Sequence, residues 1–179
     1  MKEEGLEPRI AELLRPVRLV ALDVDGTLTD GGVYVTEDGE ATRYFVIDGW
    51  GIKTLQQHRV EVAFISGRKS KSAERRARDL GVGECHLGVA SKDVVLREIQ
   101  QRLAIERRET VAMGDDLPDL ALQAGSGCFV APANARAEIM ARADFVTRAA
   151  GGAGAVRELA ELILRAQGRW QAVVSAYGG

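Results

Sequence analysis

Short apolar runs alternate along the chain with longer stretches whose apolar residues recur at helical spacing. Leu19 to Val24 is almost unbroken in apolar residues, and glycine ends the run at Gly26. A strand covered on both faces reads in this way, without the apolar–polar alternation of a half-exposed strand. Val60 to Ile65 and Thr110 to Met113 have the same form, and Cys85 to Leu87, Cys128 to Val130 and Phe145-Val146 read as shorter strands. The segments between them predict helices over Ile52 to His58, Lys69 to Leu80, Lys92 to Leu103, Leu120 to Ala124, Ala135 to Ala141 and Ala155 to Gln167. Glu7 to Leu14 predicts a leading helix ended by Pro16. Gly81 is placed to stop the second of the main helices, and Ser91 to cap the third, whose Val94, Val95, Ile99 and Leu103 share one face.

Three stretches depart from this rhythm. Between Gly31 and Asp48, Val33 and Val35, then Tyr44 and Val46, alternate with polar residues, with Asp38-Gly39 between the two runs. That pattern predicts a β-hairpin flap directly after the first strand, too small to be a cap domain. The plainer alternative is an edge hairpin of the main sheet. Asp48-Gly49-Trp50-Gly51 reads as a glycine-rich turn, and Ala149 to Gly154 as a flexible loop. Repeated strand–helix alternation predicts an α/β fold, a doubly wound, Rossmann-like parallel sheet with helices on both faces.

Composition narrows the class. The 179 residues support one domain, divided here into a core over 16–167, the hairpin over 31–48 and a C-terminal tail over 168–179. A net charge of −2 gives no reason to expect a nucleic-acid partner. No apolar run approaches the roughly 20 residues of a membrane span. Charges interrupt every apolar pair between Met1 and Pro16, so no signal-peptide core is expected there and a cytoplasmic location is the default. Cys85 and Cys128 lie far apart without metal-site spacing and are expected to be unpaired, buried small hydrophobes.

Chemistry-bearing residues fall at the ends of the expected strands: Asp23 and Asp25, then Ser66, then Asp115, Asp116 and Asp119. Lys92 opens a helix instead and must reach back to that edge. In a doubly wound sheet, ligands bind outside the carboxyl ends of the strands. Each residue has a plainer reading alone: a turn for Asp-Val-Asp-Gly, a helix cap for Ser66, a solvated lysine for Lys92, helix-start acids for Asp116 and Asp119. Together, the stretch Asp-Val-Asp-Gly-Thr-Leu-Thr-Asp from Asp23 to Asp30, with Ser66, Lys92 and Gly114-Asp115-Asp116 following in order, resembles the four motifs of the haloacid dehalogenase-like phosphatases.

The chemistry such an enzyme needs can be matched to these residues. A carboxylate nucleophile attacks phosphorus, forming an aspartyl-phosphate, and Asp23 suits that role. A second carboxyl protonates the leaving alkoxide and later deprotonates water; Asp25, two residues on, suits it. Ser66 can donate a hydrogen bond to a phosphoryl oxygen and Lys92 can neutralise one. Asp115 can hold Mg²⁺ with Asp23, and Asp116 and Asp119 can orient the metal's waters. The resemblance implies the same roles and adds Asp25 to the metal ligands through its backbone carbonyl.

Within that superfamily the run from Val17 to Trp170 is similar to the branch without a cap domain that hydrolyses 3-deoxy-D-manno-octulosonate 8-phosphate. The similarity is carried by Ser66-Gly67-Arg68-Lys69-Ser70-Lys71, Asp48-Gly49-Trp50-Gly51-Ile52-Lys53, Gly151 to Glu158 and Ala166-Gln167-Gly168-Arg169-Trp170. It implies a sugar-acid phosphate as substrate, from lipopolysaccharide precursor synthesis, with Gly49, Gly67 and Arg68 as candidate contacts. It also implies a homotetramer built on the hairpins, with the tail folding over a site. Ile47 stands where family members often carry a basic residue, which leaves sugar specificity open between octulosonate 8-phosphate and a nonulosonate 9-phosphate; Arg68 fits the octulosonate branch better. A non-catalytic oligomeric interaction module is the alternative of another class. The joint presence of Asp23, Asp25, Lys92 and Asp115 speaks against it.

Overall fold

A computed structural model describes residues 7–37 and 39–178. In chain order the main elements are α1 (Pro8–Leu14), β1 (Leu19–Leu22), β2 (Tyr34–Thr36), β3 (Gly39–Ala41), α2 (Val46–Gln57), β4 (Glu61–Ser66), α3 (Lys71–Leu80) and β5 (Glu84–Leu87). They continue with α4 (Lys92–Leu103), β6 (Thr110–Met113), α5 (Leu120–Gly125), β7 (Cys128–Ala131), α6 (Ala137–Met140), β8 (Phe145–Val146), α7 (Ala155–Ala166) and α8 (Trp170–Ser175). Six strands form one parallel sheet in the order β5-β4-β1-β6-β7-β8. The order runs one way from β1 to β5 and the other way from β1 to β8, so the topological switch point lies at β1.

Alternation along the central strands sorts their side chains into two cores. Val20, Leu22, Val62, Phe64, Val111 and Met113 pack with residues of α1, α2, α3 and α7. Leu19, Ala21, Ala63, Ile65 and Ala112 pack with residues of α4, α5 and α6 on the other face. Burial on both faces explains the unbroken apolar run of β1. Local signals fix the helix ends as expected for α3, where the Ser70 hydroxyl accepts the Ala73 N–H and Gly81 closes the helix in the left-handed region. Ser91 occupies the N-cap position of α4, but its side chain makes no capping bond. On α4, Leu96 and Ile99 are buried, whereas Val94 faces solvent. Both cysteines are free: Cys128 is buried and Cys85 is partly so.

Three local expectations are corrected. The second hairpin strand is Gly39–Ala41, not the Tyr44–Val46 run, and Val46 already opens α2. Among the described residues the hairpin pairs only with itself, Tyr34 opposite Ala41 and Thr36 opposite Gly39, and is separate from the main sheet; Asp38 lies outside those residues. Asp48-Gly49-Trp50-Gly51 lies inside α2. Its glycines serve close packing there: a Cβ on Gly51 would stand 3.1 Å from the Arg157 Cα of α7. Asp48 is buried and its carboxylate accepts the Gly154 N–H at 3.2 Å and the Arg157 N–H at 2.8 Å, capping α7 from a neighbouring helix. Nor is the 149–154 segment a loose linker. Gly151 and Gly152 are buried, and a Cβ on Gly151 would fall 1.8 Å from the Gly26 carbonyl oxygen. The chain after Gly168 folds as α8, with Trp170 edge-on to Trp50 at 6.3 Å and the Arg157 guanidinium 4.0 Å over the Trp50 ring.

Candidate active site

The three central strands end side by side: β4 at Ser66, β1 just before Asp23, and β6 just before Gly114-Asp115. The Asp23 N–H bonds to the Met113 carbonyl at 3.0 Å, which extends the β1–β6 pairing to the nucleophile candidate itself. Asp23 is 6 % exposed. Lys92, first residue of α4, does reach back to the edge. Its ammonium contacts Asp23 Oδ1 and donates to Asp119 Oδ1 at 2.6 Å. The other Asp119 oxygen accepts the N–H groups of Asp115 and Asp116 at 2.9 and 3.1 Å. Asp119 thus ties the lysine to the loop that carries Asp115.

Asp115 faces the turn after β1. The Thr27 hydroxyl donates to it at 3.1 Å. Gly26, at φ +90°, lets the turn come that close, since a Cβ there would stand 2.1 Å from Asp115 Oδ2. Oxygen atoms of Asp23, Asp115 and Asp119 lie within 4.8 Å of one another. Burial first, then the charge of Asp119, raises the Asp23 pKa to about 7 against the opposing pull of Lys92. The same two causes raise Asp115 to about 6. Burial alone would lower the Lys92 pKa, but Asp23 and Asp119 together hold it above its ordinary value.

Three carboxylates against one ammonium leave two uncompensated negative charges in a buried pocket once all are ionised. The donor set is all oxygen and hard, which fits a divalent cation such as Mg²⁺ and gives no site for a soft metal. Asp23 and Asp115 are the carboxylates with oxygens to spare. Those of Asp119 are taken by Lys92 and the Asp115-Asp116 backbone.

The other residues singled out in the sequence divide. Asp25 is partly exposed at the same edge, with both carboxylate oxygens on the Arg68 guanidinium at 2.9 and 2.5 Å. Arg68 also binds Glu40 of β3 at 2.6 Å, joining the hairpin to the site. Ser66 is buried and its hydroxyl oxygen accepts the Arg68 N–H at 3.2 Å. At Gly67 an added Cβ would meet nothing nearer than the Val89 carbonyl at 3.8 Å. Asp116 is exposed, and its carboxylate caps the Leu117 N–H at 2.8 Å, outside the cluster. Gly49 packs in α2 against the Arg76 guanidinium, away from the acidic cluster. Thr27, Glu40 and Asn134, which bonds to the Gly26 carbonyl at 2.9 Å, also join the site, though none was assigned a role from the sequence. Thr27 was legible within the first motif. Glu40 and Asn134 belong to no recurring pattern, and only the folded chain brings them here.

A switch-point edge with paired aspartates, a buried lysine and an acidic loop defines a haloacid dehalogenase-like hydrolase, whose small hairpin takes the place of a cap domain among the described residues. Residues 86–159 match the profile of that haloacid dehalogenase-like hydrolase family. The 3-deoxy-D-manno-octulosonate 8-phosphate phosphatase of Escherichia coli (strain K12) is 42% identical over 154 residues, spanning 86% of this chain and 82% of that enzyme. Among solved structures, the phosphatase of that name from Moraxella catarrhalis, in complex with magnesium, phosphate and the sugar acid, superposes with a TM-score of 0.92 at 35% identity, covering 96% of this chain and 99% of the other. The cobalt-bound Haemophilus influenzae enzyme gives 0.88 at 36% identity, covering 93% and 98%. The chain belongs to the 3-deoxy-D-manno-octulosonate 8-phosphate phosphatase family.

Proposed function

We propose that this chain is a Mg²⁺-dependent phosphomonoester hydrolase that converts 3-deoxy-D-manno-octulosonate 8-phosphate to the free sugar acid and inorganic phosphate, in the cytoplasm, for lipopolysaccharide precursor synthesis. The observation that carries this reading is the buried contact of Lys92 with Asp23 beside Asp115 and Asp119, in a chain whose relatives bear that activity. Asp23 and Asp115, with the Asp25 carbonyl, would hold Mg²⁺. When bound, the ion offsets the charge of the phosphoryl oxygens.

In the proposed mechanism a carboxylate oxygen of Asp23 attacks phosphorus, and the bond from phosphorus to the sugar oxygen breaks. Asp25 gives its proton to the leaving alkoxide. Lys92 and Ser66 hold phosphoryl oxygens through both steps. Asp25 then takes a proton from water, which attacks the aspartyl-phosphate, releasing phosphate and restoring Asp23. Asp119 keeps Lys92 and the Asp115 loop in place, and Asp116 extends the polar rim. Arg68, beside Gly67 and linked to the hairpin through Glu40, would take the sugar carboxylate in exchange for a carboxylate it now holds. Gly49 acts through packing.

The hairpin supports a homotetramer. Tyr34 and Val35 are 61% and 81% exposed on β2, and Val46 is 78% exposed at the start of α2, large apolar side chains that a single subunit leaves in water. Light scattering is expected to give about four times the 19.3 kDa chain mass; a mass of one chain refutes the assembly. The activity is tested with a panel of octulosonate 8-phosphate, nonulosonate 9-phosphates and neutral sugar phosphates. The expected result is EDTA-sensitive phosphate release with the highest kcat/KM on the octulosonate ester. A preference for a nonulosonate ester would reassign the substrate, and no release from any ester would refute the enzyme.

A further inference from the structure

Three loops meet behind the metal-binding edge, and one side chain joins them. The turn after β1 (Asp25 to Thr29), the segment after β7 (Pro132 to Arg136) and the glycine segment before α7 (Ala149 to Gly152) are held largely by backbone bonds. Gly152 N–H bonds to the Thr27 carbonyl at 3.1 Å, Ala133 N–H to the Ala149 carbonyl at 3.2 Å, and Arg136 N–H to the Asp115 carbonyl at 2.9 Å. Asn134 lies at the surface, yet its amide spans the junction. Its Nδ2 donates to the Gly26 carbonyl at 2.9 Å and its Oδ1 accepts the Gly151 N–H at 2.6 Å.

The Gly26 peptide is the critical member of this junction. Gly26 follows Asp25 directly and is the point where the turn closes on the Asp115 carboxylate; the carbonyl that Asn134 holds belongs to the peptide between Gly26 and Thr27. Nothing with a side chain fits there, so no side-chain packing at Gly26 itself can hold the peptide plane. Gly151 is equally bare, because a Cβ would strike the Gly26 oxygen. Two glycines in contact leave no side chain at the junction itself; Leu28 anchors the turn in the core beyond it, and the Asn134 amide supplies a hydrogen bond to each side of the contact.

We propose that Asn134 is a positioning residue for the metal site: by bridging the Gly26 and Gly151 peptides it sets the turn that carries Asp25 against Asp115. An amide suits the task because it donates to a carbonyl and accepts from an N–H at once. This inference rests on the proposed metal-dependent phosphatase reading, so its test includes direct metal binding. Outer partners of metal ligands typically change metal affinity or activity by about 10–100-fold when removed.

The experiment compares the full-length protein with Asn134→Ala and Asn134→Asp. Mg²⁺ affinity is read by calorimetry without substrate, kcat and KM with the sugar-acid phosphate, and folding by the metal-free melt. Asn134→Ala is expected to weaken Mg²⁺ binding and lower kcat by roughly tenfold or more, with KM for the ester little changed. Asn134→Asp keeps the acceptor for Gly151 but turns an oxygen instead of a donor toward the Gly26 carbonyl, and is expected to show the same loss of Mg²⁺ affinity although its acceptor bond remains. Parental Mg²⁺ affinity in both variants overturns the proposal. So does a lowered metal-free melt with unchanged Mg²⁺ affinity, which would make Asn134 a purely structural bridge. If the parent binds Mg²⁺ but does not hydrolyse the ester, the substrate reading fails and the metal-binding comparison still decides the role of Asn134.

Discussion

Arg68 grips both carboxylate oxygens of Asp25, through Nε at 2.9 Å and Nη2 at 2.5 Å, while its Nη1 holds Glu40 on the hairpin at 2.6 Å. A guanidinium presents its donors in a planar fork, so this is a two-point clasp on Asp25 with the third nitrogen committed to Glu40. The clasp links the proposed acid/base to the flap. A carboxylate on the substrate would compete for the same fork.

Arg68→Ala is therefore expected to separate sugar acids from simple esters. A charged hydrogen bond contributes about 1.5–3 kcal/mol, so KM for the sugar-acid phosphate should rise by roughly 10–100-fold. An aryl phosphate lacks the carboxylate and should lose far less. Equal losses on both substrates would place Arg68 in the general phosphate machinery instead.

The two aspartates of the first motif should fail differently. Asp23→Asn removes the nucleophile and an oxygen facing the proposed ion, so turnover should vanish and Mg²⁺ affinity should fall. Asp25→Asn leaves its backbone carbonyl in place. It should keep metal binding while losing roughly 10²–10⁴-fold in kcat, the usual worth of a positioned acid or base. Turnover near the parental rate in folded Asp23→Asn would remove it from the nucleophile role, and a loss under about tenfold in Asp25→Asn would mean that another group moves the proton.

Asp23 and Asp115 also make stability depend on pH and metal together. Their ordinary value is 3.8; in the folded chain Asp23 rises to about 7 and Asp115 to about 6. Between the two values the folded chain keeps protons that the unfolded chain has released, so metal-free stability falls as pH rises from about 4 to about 7. A bound cation requires those protons to leave and replaces their charge. The gain in Tm from added Mg²⁺ should accordingly be larger at pH 8 than at pH 5. Gains of equal size at both would show that proton and metal do not compete for these carboxylates.

The sheet was legible because burial on both faces writes an unbroken apolar run, as in β1, β4 and β6. The site was legible where its residues sit at strand ends in one fixed order, and Lys92 does reach the edge from the start of α4. Legibility failed where local signals have two meanings. Asp-Gly marks turns, but at Asp48-Gly49 it lies in a helix, because tertiary packing against α7 overrides the local preference. Glycines in Ala149 to Gly154 look like slack, whereas they are close approaches to the Gly26 turn. Asn134 and Glu40 act across 108 and 28 positions of sequence, distances at which no spacing rule operates.

Asp48 offers a test of that reassigned motif. Its carboxylate is buried in α2 and accepts the N–H groups of Gly154 and Arg157, donors at the start of α7 that no local side chain caps. Burial pushes its pKa up, opposed by those same N–H bonds. In Asp48→Ala these half-buried donors would lose their charged partner, at a cost of roughly 1–3 kcal/mol. For a chain of this size each kcal/mol is about 2–4 °C, so Tm should drop by several degrees. KM for the sugar-acid phosphate should hold, because Asp48 faces α7 and not the acidic cluster. A large rise in KM with an unchanged melt would return the Asp48-Gly49 motif to substrate binding and end its reading as a remote helix cap.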